Sequence, residues 1–469
     1  MKKSLLLFGA VILLSAVSHA QPCTGTDTLV STPVVLTAPA SFVTDDADFV
    51  AFNPDNADEA WVTGKAGMLV KITANNGVWS ATQQSTSFSS ISTRRFRYLQ
   101  FVSNNDWRLV GDGASGTDSA IVFQSTNQGT TWSIFTKVPT QEVYFVKAHP
   151  TNANWMIAGS RAGIWVSRDN GSTWVQQSPV PGQRYYGVDI NTTTGRVTVV
   201  RRAGVVLSTV VTDFSATGQD NLTWTNEITE TTSFTVDGSP VVFGGSKVNL
   251  VISTNNQATR WVVADNPDGA ALLRSSATGT WEVVTITGYD YNNHGELRWI
   301  ASWSDDVIMV VDNAGGMFYT TNATAGSPTW SFMQANGPSP INFDYSLNAV
   351  AVVPNSNPPS IMVAGGVADP TINLFPIINH ITCSNLASSV ANLSKQSLAM
   401  YPNPVENQLI LSQEQAGKVT VRNLLGAVVL TAQKEAGVQS IAMQQLPAGM
   451  YVVELQTANQ HFSGRIVKK

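Results

Sequence analysis

Tyr144 to Pro179 reads YFVKAHPTNANWMIAGSRAGIWVSRDNGSTWVQQSP. Short runs of β-branched, aromatic and aliphatic residues are separated by Pro-Thr-Asn, Ser-Arg-Ala-Gly and Arg-Asp-Asn-Gly-Ser. Those separators supply positive φ angles and side-chain caps to tight turns, so the stretch predicts three short antiparallel strands. A fourth follows Trp174. The runs are too short for helices, and no period of 3.6 connects them.

The same unit recurs between Asp48 and Phe375. Seven first strands align, at Asp48–Phe52, Leu99–Val102, Tyr144–Val146, Tyr186–Asp189, Leu250–Ile252, Leu297–Ile300 and Leu347–Val350. Closing tryptophans stand at Trp79, Trp132, Trp174, Trp224, Trp281 and Trp330, and read as core packing. Four strands per unit at a period of roughly 45 to 50 residues is the pattern of a β-propeller, in which each blade buries its faces against its neighbours. The chain is therefore expected to be all-β: a seven-bladed β-propeller over 21–383, a linker over 384–397 and a small immunoglobulin-like β-sandwich over 398–469. The seventh unit has no closing Trp. The β-branched segment from Thr28 to Leu36 is expected to supply its missing strand and close the ring, which removes exposed sheet edges. Wide spacing between the fourth and fifth units leaves room for an extra hairpin near Thr231 to Lys247.

The turn before Trp174, Ser167-Arg168-Asp169-Asn170-Gly171-Ser172-Thr173-Trp174, resembles the Asp-box (BNR repeat) of sialidase-like and sortilin-like propellers. Ser167, Asp169, Gly171 and Trp174 carry the resemblance. Asn127, Gly129 and Trp132 repeat it with Asn for Asp, and Ser275 to Trp281 is a copy one residue short. The resemblance implies a structural turn away from the central channel, hence fold and not catalysis.

The two ends give an address. MKKSLLLFGAVILLSAVSHA has Lys2 and Lys3, an apolar run from Leu5 to Val17, and small residues at a cleavage site, so residues 1–20 read as a secretory signal peptide. Tyr401-Pro402-Asn403-Pro404, Val421-Arg422-Asn423-Leu424-Leu425-Gly426, Leu446-Pro447-Ala448-Gly449-Met450-Tyr451 and Ile466-Val467-Lys468-Lys469 are similar to the C-terminal sorting domain of type IX secretion cargo in Bacteroidota. That resemblance implies the type IX secretion machinery as a partner and a secreted or outer cell-surface location. An exported protein meets an oxidising compartment, so Cys23 and Cys383, which bracket the ring, are expected to form a disulfide.

Function is less legible. Charged residues are 13% of the chain and the formal charge is −5, with no basic block to neutralise phosphates, which argues against nucleic acid. No later stretch is long and apolar enough for a transmembrane segment. Five scattered histidines and two cysteines write no metal site, and no phosphate loop or cofactor motif is present. Charge and tyrosine concentrate just before the first strands, where the chain returns towards the axis: Arg94, Arg97, Arg184, Tyr186, His294, Glu296, Arg298 and Tyr345. Guanidinium groups suit carboxylate or sulfate, and tyrosines stack on sugar faces. These eight are expected to form a glycan- or protein-binding rim. The alternative is a glycoside hydrolase of the sialidase or xyloglucanase kind, which needs a pair of carboxylates across the funnel. The Arg-Ile-Pro motif typical of sialidases is absent.

Overall fold

The runs and turns fold as antiparallel strands. The computed structural model describes residues 29–36, 46–75, 77–84, 94–113, 119–177, 182–202, 204–215, 222–236, 239–242, 248–253, 259–266, 269–275, 280–290, 294–334, 345–354, 356, 359–367, 376–383, 396–398, 400–412, 415–423, 428–456 and 461–469. Residues 1–20 and Cys23 lie outside that set. The chain divides into two compact units, 1–383 and 384–469.

In the first unit, seven sheets of four or five strands follow one another among the described residues. Their innermost strands are Ala47–Asn53, Phe96–Phe101, Val143–His149, Tyr185–Ile190, Val248–Ser253, Leu297–Ser302 and Tyr345–Val352. Each innermost strand packs on the next, and Tyr345–Val352 packs back on Ala47–Asn53, so the strands form a closed ring. This is a β-propeller.

Its core lies in the seams between sheets. One cluster joins Phe49, Trp61 and Leu69 of the first sheet to Phe96, Trp107 and Phe123 of the second. Another joins Phe145, Trp155 and Ile164 of the third to Tyr185, Val199 and Leu207 of the fourth. The fully buried tryptophans are Trp61, Trp107, Trp155 and Trp261, all on second strands. Of the closing tryptophans, Trp79 and Trp330 are buried, while Trp132, Trp174, Trp224 and Trp281 are half-buried. The second-strand residues carry the deeper packing, because a second strand is covered by sheets on both faces.

Ring closure departs from expectation in one respect. Leu29–Pro33 does pair as the outer strand of the last sheet, Leu29 opposite Cys383 and Pro33 opposite Asn379. Val35–Leu36, however, leaves that sheet and runs parallel to Ser80–Ala81 at the outer edge of the first. Val34 N–H still donates to the Ile378 carbonyl at 2.9 Å, and the chain crosses the seam after it. One segment thus clasps both sides of the closure. The expected insertion is a hairpin, Ser233–Val236 with Ser239–Val242. Phe234 and Val241 of that hairpin pack on Val200, Val206, Val262 and Leu273, capping the seam between the fourth and fifth sheets.

The second unit is a β-sandwich of a five-stranded and a three-stranded sheet. Val419, Val421, Val453, Leu455 and Ile466 pack against Leu409, Leu411 and Ile441 between them. Gln396–Ser397 pairs in parallel with Phe462–Ser463, so the larger sheet takes in two residues of the stretch read as linker. The Lys434 ammonium is buried and donates to the carbonyls of Gln415, Glu435 and Gly437 at 3.1, 2.9 and 2.6 Å. Three carbonyl dipoles there replace the water the cation has lost.

Candidate functional site

Each innermost strand slips register against its neighbour at one residue near its start. The extra residues are Asp48, Arg97, Tyr144, Tyr186, Asn249, Arg298 and Asn348, one in every sheet. A bulge places two residues opposite one and re-aims a side chain. Here the preceding residue stays buried, as with Ala47, Phe96, Val143, Tyr185, Leu297 and Leu347. Asp48, Arg97, Tyr144, Tyr186, Arg298 and Asn348 line one cleft of about 220 Å³ at the centre of the ring, walled also by Arg95, Tyr98 and Trp299. In six of the seven sheets the bulge is therefore the device that turns one side chain towards the axis.

Residues two positions before the bulge support it from the same face of the strand. Tyr144 donates its hydroxyl to Glu142 at 3.1 Å, Ser346 donates to the Asn348 side-chain oxygen at 2.9 Å, and Arg298 meets Glu296 at 3.0 Å. Between sheets, Arg95 grips both Asp48 oxygens, with Nε to Oδ2 at 2.5 Å. Arg97 donates through Nε to Asp112 at 2.8 Å, lies 3.9 Å from Glu142, and stands over the Tyr144 ring. The Tyr144 and Tyr186 rings are 4.6 Å apart between centroids. Rings and guanidinium groups thus form a continuous wall across the second, third and fourth sheets.

Burial and pairing set the charges. Burial pushes the Asp112 carboxyl up, and the Arg97 contact only partly offsets it. Burial also acts to raise Glu142, but the Tyr144 hydrogen bond with the Arg97 and Arg161 charges outweighs it, so Glu142 is held below the usual carboxylate range. Tyr144 is pushed up, chiefly by burial and then by Tyr186 and Glu142, and stays a neutral phenol. Burial works against the Arg95 cation, yet the Asp48 hydrogen bond and charge prevail and raise its pKa.

The eight residues expected at the rim separate into several places. Arg97, Tyr186 and Arg298 line the cleft. Arg94 turns to the carbonyl of Asp112 at 2.8 Å, and Glu296 stands behind Arg298. Arg184 lines a neighbouring groove with Thr140, Gln141, Glu142 and Arg161. His294 lies 3.1 Å from Asp312, packed between Tyr289, Phe318 and Phe332, and does not face the cleft. Tyr345 begins the last innermost strand. Asp48, Arg95, Tyr144 and Asn348 are cleft residues outside the expected set. Their signal is positional: each bulge residue falls at or just before the aligned first strand.

The turns that resemble Asp-boxes stand elsewhere, between the third and fourth strands. The Ser167 hydroxyl accepts from Gly171 N–H at 2.8 Å, and Asp169 accepts from Thr173 N–H at 2.9 Å. Ser125, Asn127, Gly129 and Thr131 repeat both bonds at the same distances. Thr320, Asn322 and Thr329 make a further version before Trp330, with Asn322 accepting from Thr329 N–H at 2.9 Å across a longer loop. That lengthened loop hides the motif from a fixed-spacing pattern. Trp132 donates its indole N–H to the Gly129 carbonyl at 3.0 Å, which ties the turn to its own tryptophan.

Residues 399–469 match the secretion system C-terminal sorting domain family. The tail marks the chain for export by type IX secretion, to the cell surface or beyond it. Among the described residues no helix is long and apolar enough to cross a membrane. No curated protein matches the chain by sequence. Among solved structures, the GH74 xyloglucanase from Xanthomonas campestris is similar with a TM-score of 0.52 at 11% identity, covering 92% of this chain and 66% of that one. The GH74 enzyme of Niastella koreensis gives 0.51 at 12% identity with the same coverage, so the chain spans about two thirds of the length of either enzyme. YCF48 bound to D1 peptide gives 0.50 at 14% identity, covering 75% of this chain and 94% of that one. At such identities the likeness is one of fold, the β-propeller.

Proposed function

We propose that the chain is a secreted or cell-surface seven-bladed propeller of the Asp-box kind that binds a glycan in its central cleft. The observation that carries this reading is the ring of bulges, which turns Arg97, Tyr144, Tyr186, Arg298 and Asn348 onto one cavity. Aromatic faces cover the apolar face of a sugar ring, while guanidinium and amide groups bond its hydroxyls. The arginines of the cleft are already paired with carboxylates, an arrangement that offers donors and acceptors side by side, as vicinal hydroxyls require.

Glycoside cleavage needs two carboxyl groups flanking one bond. Among the described residues lining the cleft Asp48 is the one carboxylate, and Arg95 occupies both of its oxygens. The binding reading is therefore preferred to the hydrolytic one, and the fold likeness to GH74 enzymes does not reverse it. A glycan array on the exported chain, with hydrolysis assays in parallel, tests both. Binding that disappears in Tyr144→Ala or Tyr186→Ala without product formation supports the proposal. Release of reducing ends by the wild type supports the hydrolase, and capture of peptides but no glycan supports a protein partner.

A further inference from the structure

Among the described side chains two positions before the bulges, most charges are paired. Asp46 meets Lys65 at 2.7 Å, Arg95 meets Asp48, Glu142 meets Arg161 at 3.2 Å and Glu296 meets Arg298 at 3.0 Å. Arg184 holds the same position in the fourth sheet. Its pKa is raised, chiefly by hydrogen bonding with the Tyr186 side chain and with a smaller contribution from the Glu142 charge. Among the described residues Arg184 meets no carboxylate. Glu142 borders the same groove but is engaged by Tyr144, Arg97 and Arg161. Among the described residues of that ring, Arg184 is the cation with no carboxylate at salt-bridge distance, and it stands at the edge of the Tyr144–Tyr186 wall.

We infer that Arg184, with Arg161 beside it, is an anion subsite for an acidic saccharide whose ring rests on Tyr186. The inference rests on the glycan-binding reading and adds the class of glycan. A carboxylate or sulfate on the sugar would take the guanidinium fork of Arg184, which matches either group in two parallel hydrogen bonds. Arg97 and Arg298 are poor candidates for that task, because an incoming anion would first have to displace Asp112 or Glu296. The axis thus supplies contacts to neutral hydroxyls and the groove supplies preference for charge.

The test compares matched oligosaccharides on the full exported chain: oligogalacturonates against their methyl esters, and sulfated chondroitin fragments against desulfated ones. The wild type should prefer an acidic form over its neutral partner by roughly tenfold at low salt. Arg184→Ala should erase that preference and leave affinity for the neutral partner unchanged, while Arg184→Lys should keep part of it. Tyr186→Ala should weaken both forms together. Preference for the free uronate over its ester, or for the sulfated fragment over the desulfated one, shows which anion is meant. Binding of both forms with equal strength, or preference retained in Arg184→Ala, overturns the subsite and leaves glycan binding standing. Failure of every saccharide to bind overturns both.

Discussion

Arg97 and Tyr144 occupy the same bulge position in adjacent sheets, and the guanidinium carbon of one stands 4.9 Å from the ring centroid of the other. The arginine also neutralises Asp112, with side-chain exposures of only 15% on each partner. Arg298 and Glu296 are more open, at 28% and 17%. Two arginines of one cleft should therefore answer differently to removal. Arg97→Ala leaves a buried carboxylate and a ring without its cation, and should cost about 3 kcal/mol of stability. Arg298→Ala should cost at most about 1 kcal/mol while weakening ligand binding. Chemical denaturation of the two variants separates them, and equal losses would show that Arg298 is structural as well.

Much of the propeller is legible in the sequence because turn chemistry is local. Gly, Asn and Asp mark each reversal, and strands between them need only alternate. The bulges are not legible in that way. Asp48, Arg97, Tyr144 and Tyr186 look like ordinary strand-entry residues, and only the register with a second strand some ten residues later shows that each is an extra residue. His294 misleads for the opposite reason. It stands near a first strand, but Asp312, fixed by the N–H groups of Ala314 and Gly316, draws its ring into the body of the sixth sheet.

The two turns built around Gly129 and Gly171 should be sensitive to a single methyl group. Their φ angles are +79° and +80°, where an L residue is strained by about 1–2 kcal/mol. A Cβ on Gly171 would lie 2.9 Å from Met156 Cε and Thr136 Cγ2, and one on Gly129 would lie 2.6 Å from Trp61 Cη2. The methionine end can move, whereas the indole is wedged against Trp107 with ring centroids 5.4 Å apart. Gly129→Ala should thus lower the melting temperature more than Gly171→Ala, and the reverse order in thermal melts would contradict this packing.

His380 gives the ring an acid limit. It pairs opposite Thr32 in the closing strands, packs its ring 4.7 Å from that of Trp79 at a 33° tilt and shares a hydrogen bond with Ser360 at 3.0 Å. Burial lowers its pKa from 6.5 to about 4. The unfolded chain therefore binds a proton before the folded one does. This contribution is fully present above pH 6.5 and is lost as pH falls towards 4, by about 3 kcal/mol in all. His380→Asn should flatten the stability profile between those values. An unchanged acid limb would assign it to other groups.

The proposed Cys23–Cys383 disulfide has one end in view. Cys383 is buried opposite Leu29 at the end of the closing strand pair, and among the described residues no cysteine is free. Cross-linking residues 360 apart stabilises by roughly 6 kcal/mol in the chain-entropy model, less where native geometry is strained. Mass spectrometry of the exported protein should find two fewer hydrogens than in the reduced chain, and Cys383→Ser should melt at lower temperature even under oxidising conditions. Two alkylatable thiols in the unreduced protein would dispose of the bond.

Address and binding belong to separate compact units, and this sets the last expectation. Residues 384–469 bury their own core of Val419, Val421, Val453, Leu455 and Ile466, while the seams of the propeller draw on residues before Ser384. Among the described residues, the core cluster of 384–469 and those of the propeller share no residue. A chain ending at Cys383 should therefore fold with the melting temperature of the propeller transition in the whole protein and keep its saccharide affinity. It should also accumulate in the periplasm, because the tail that type IX export reads has gone. Fractionation with a folded-state probe distinguishes the outcomes. Aggregated protein would show that the propeller needs the tail to fold, and folded protein at the cell surface would show that another part of the chain carries the export signal.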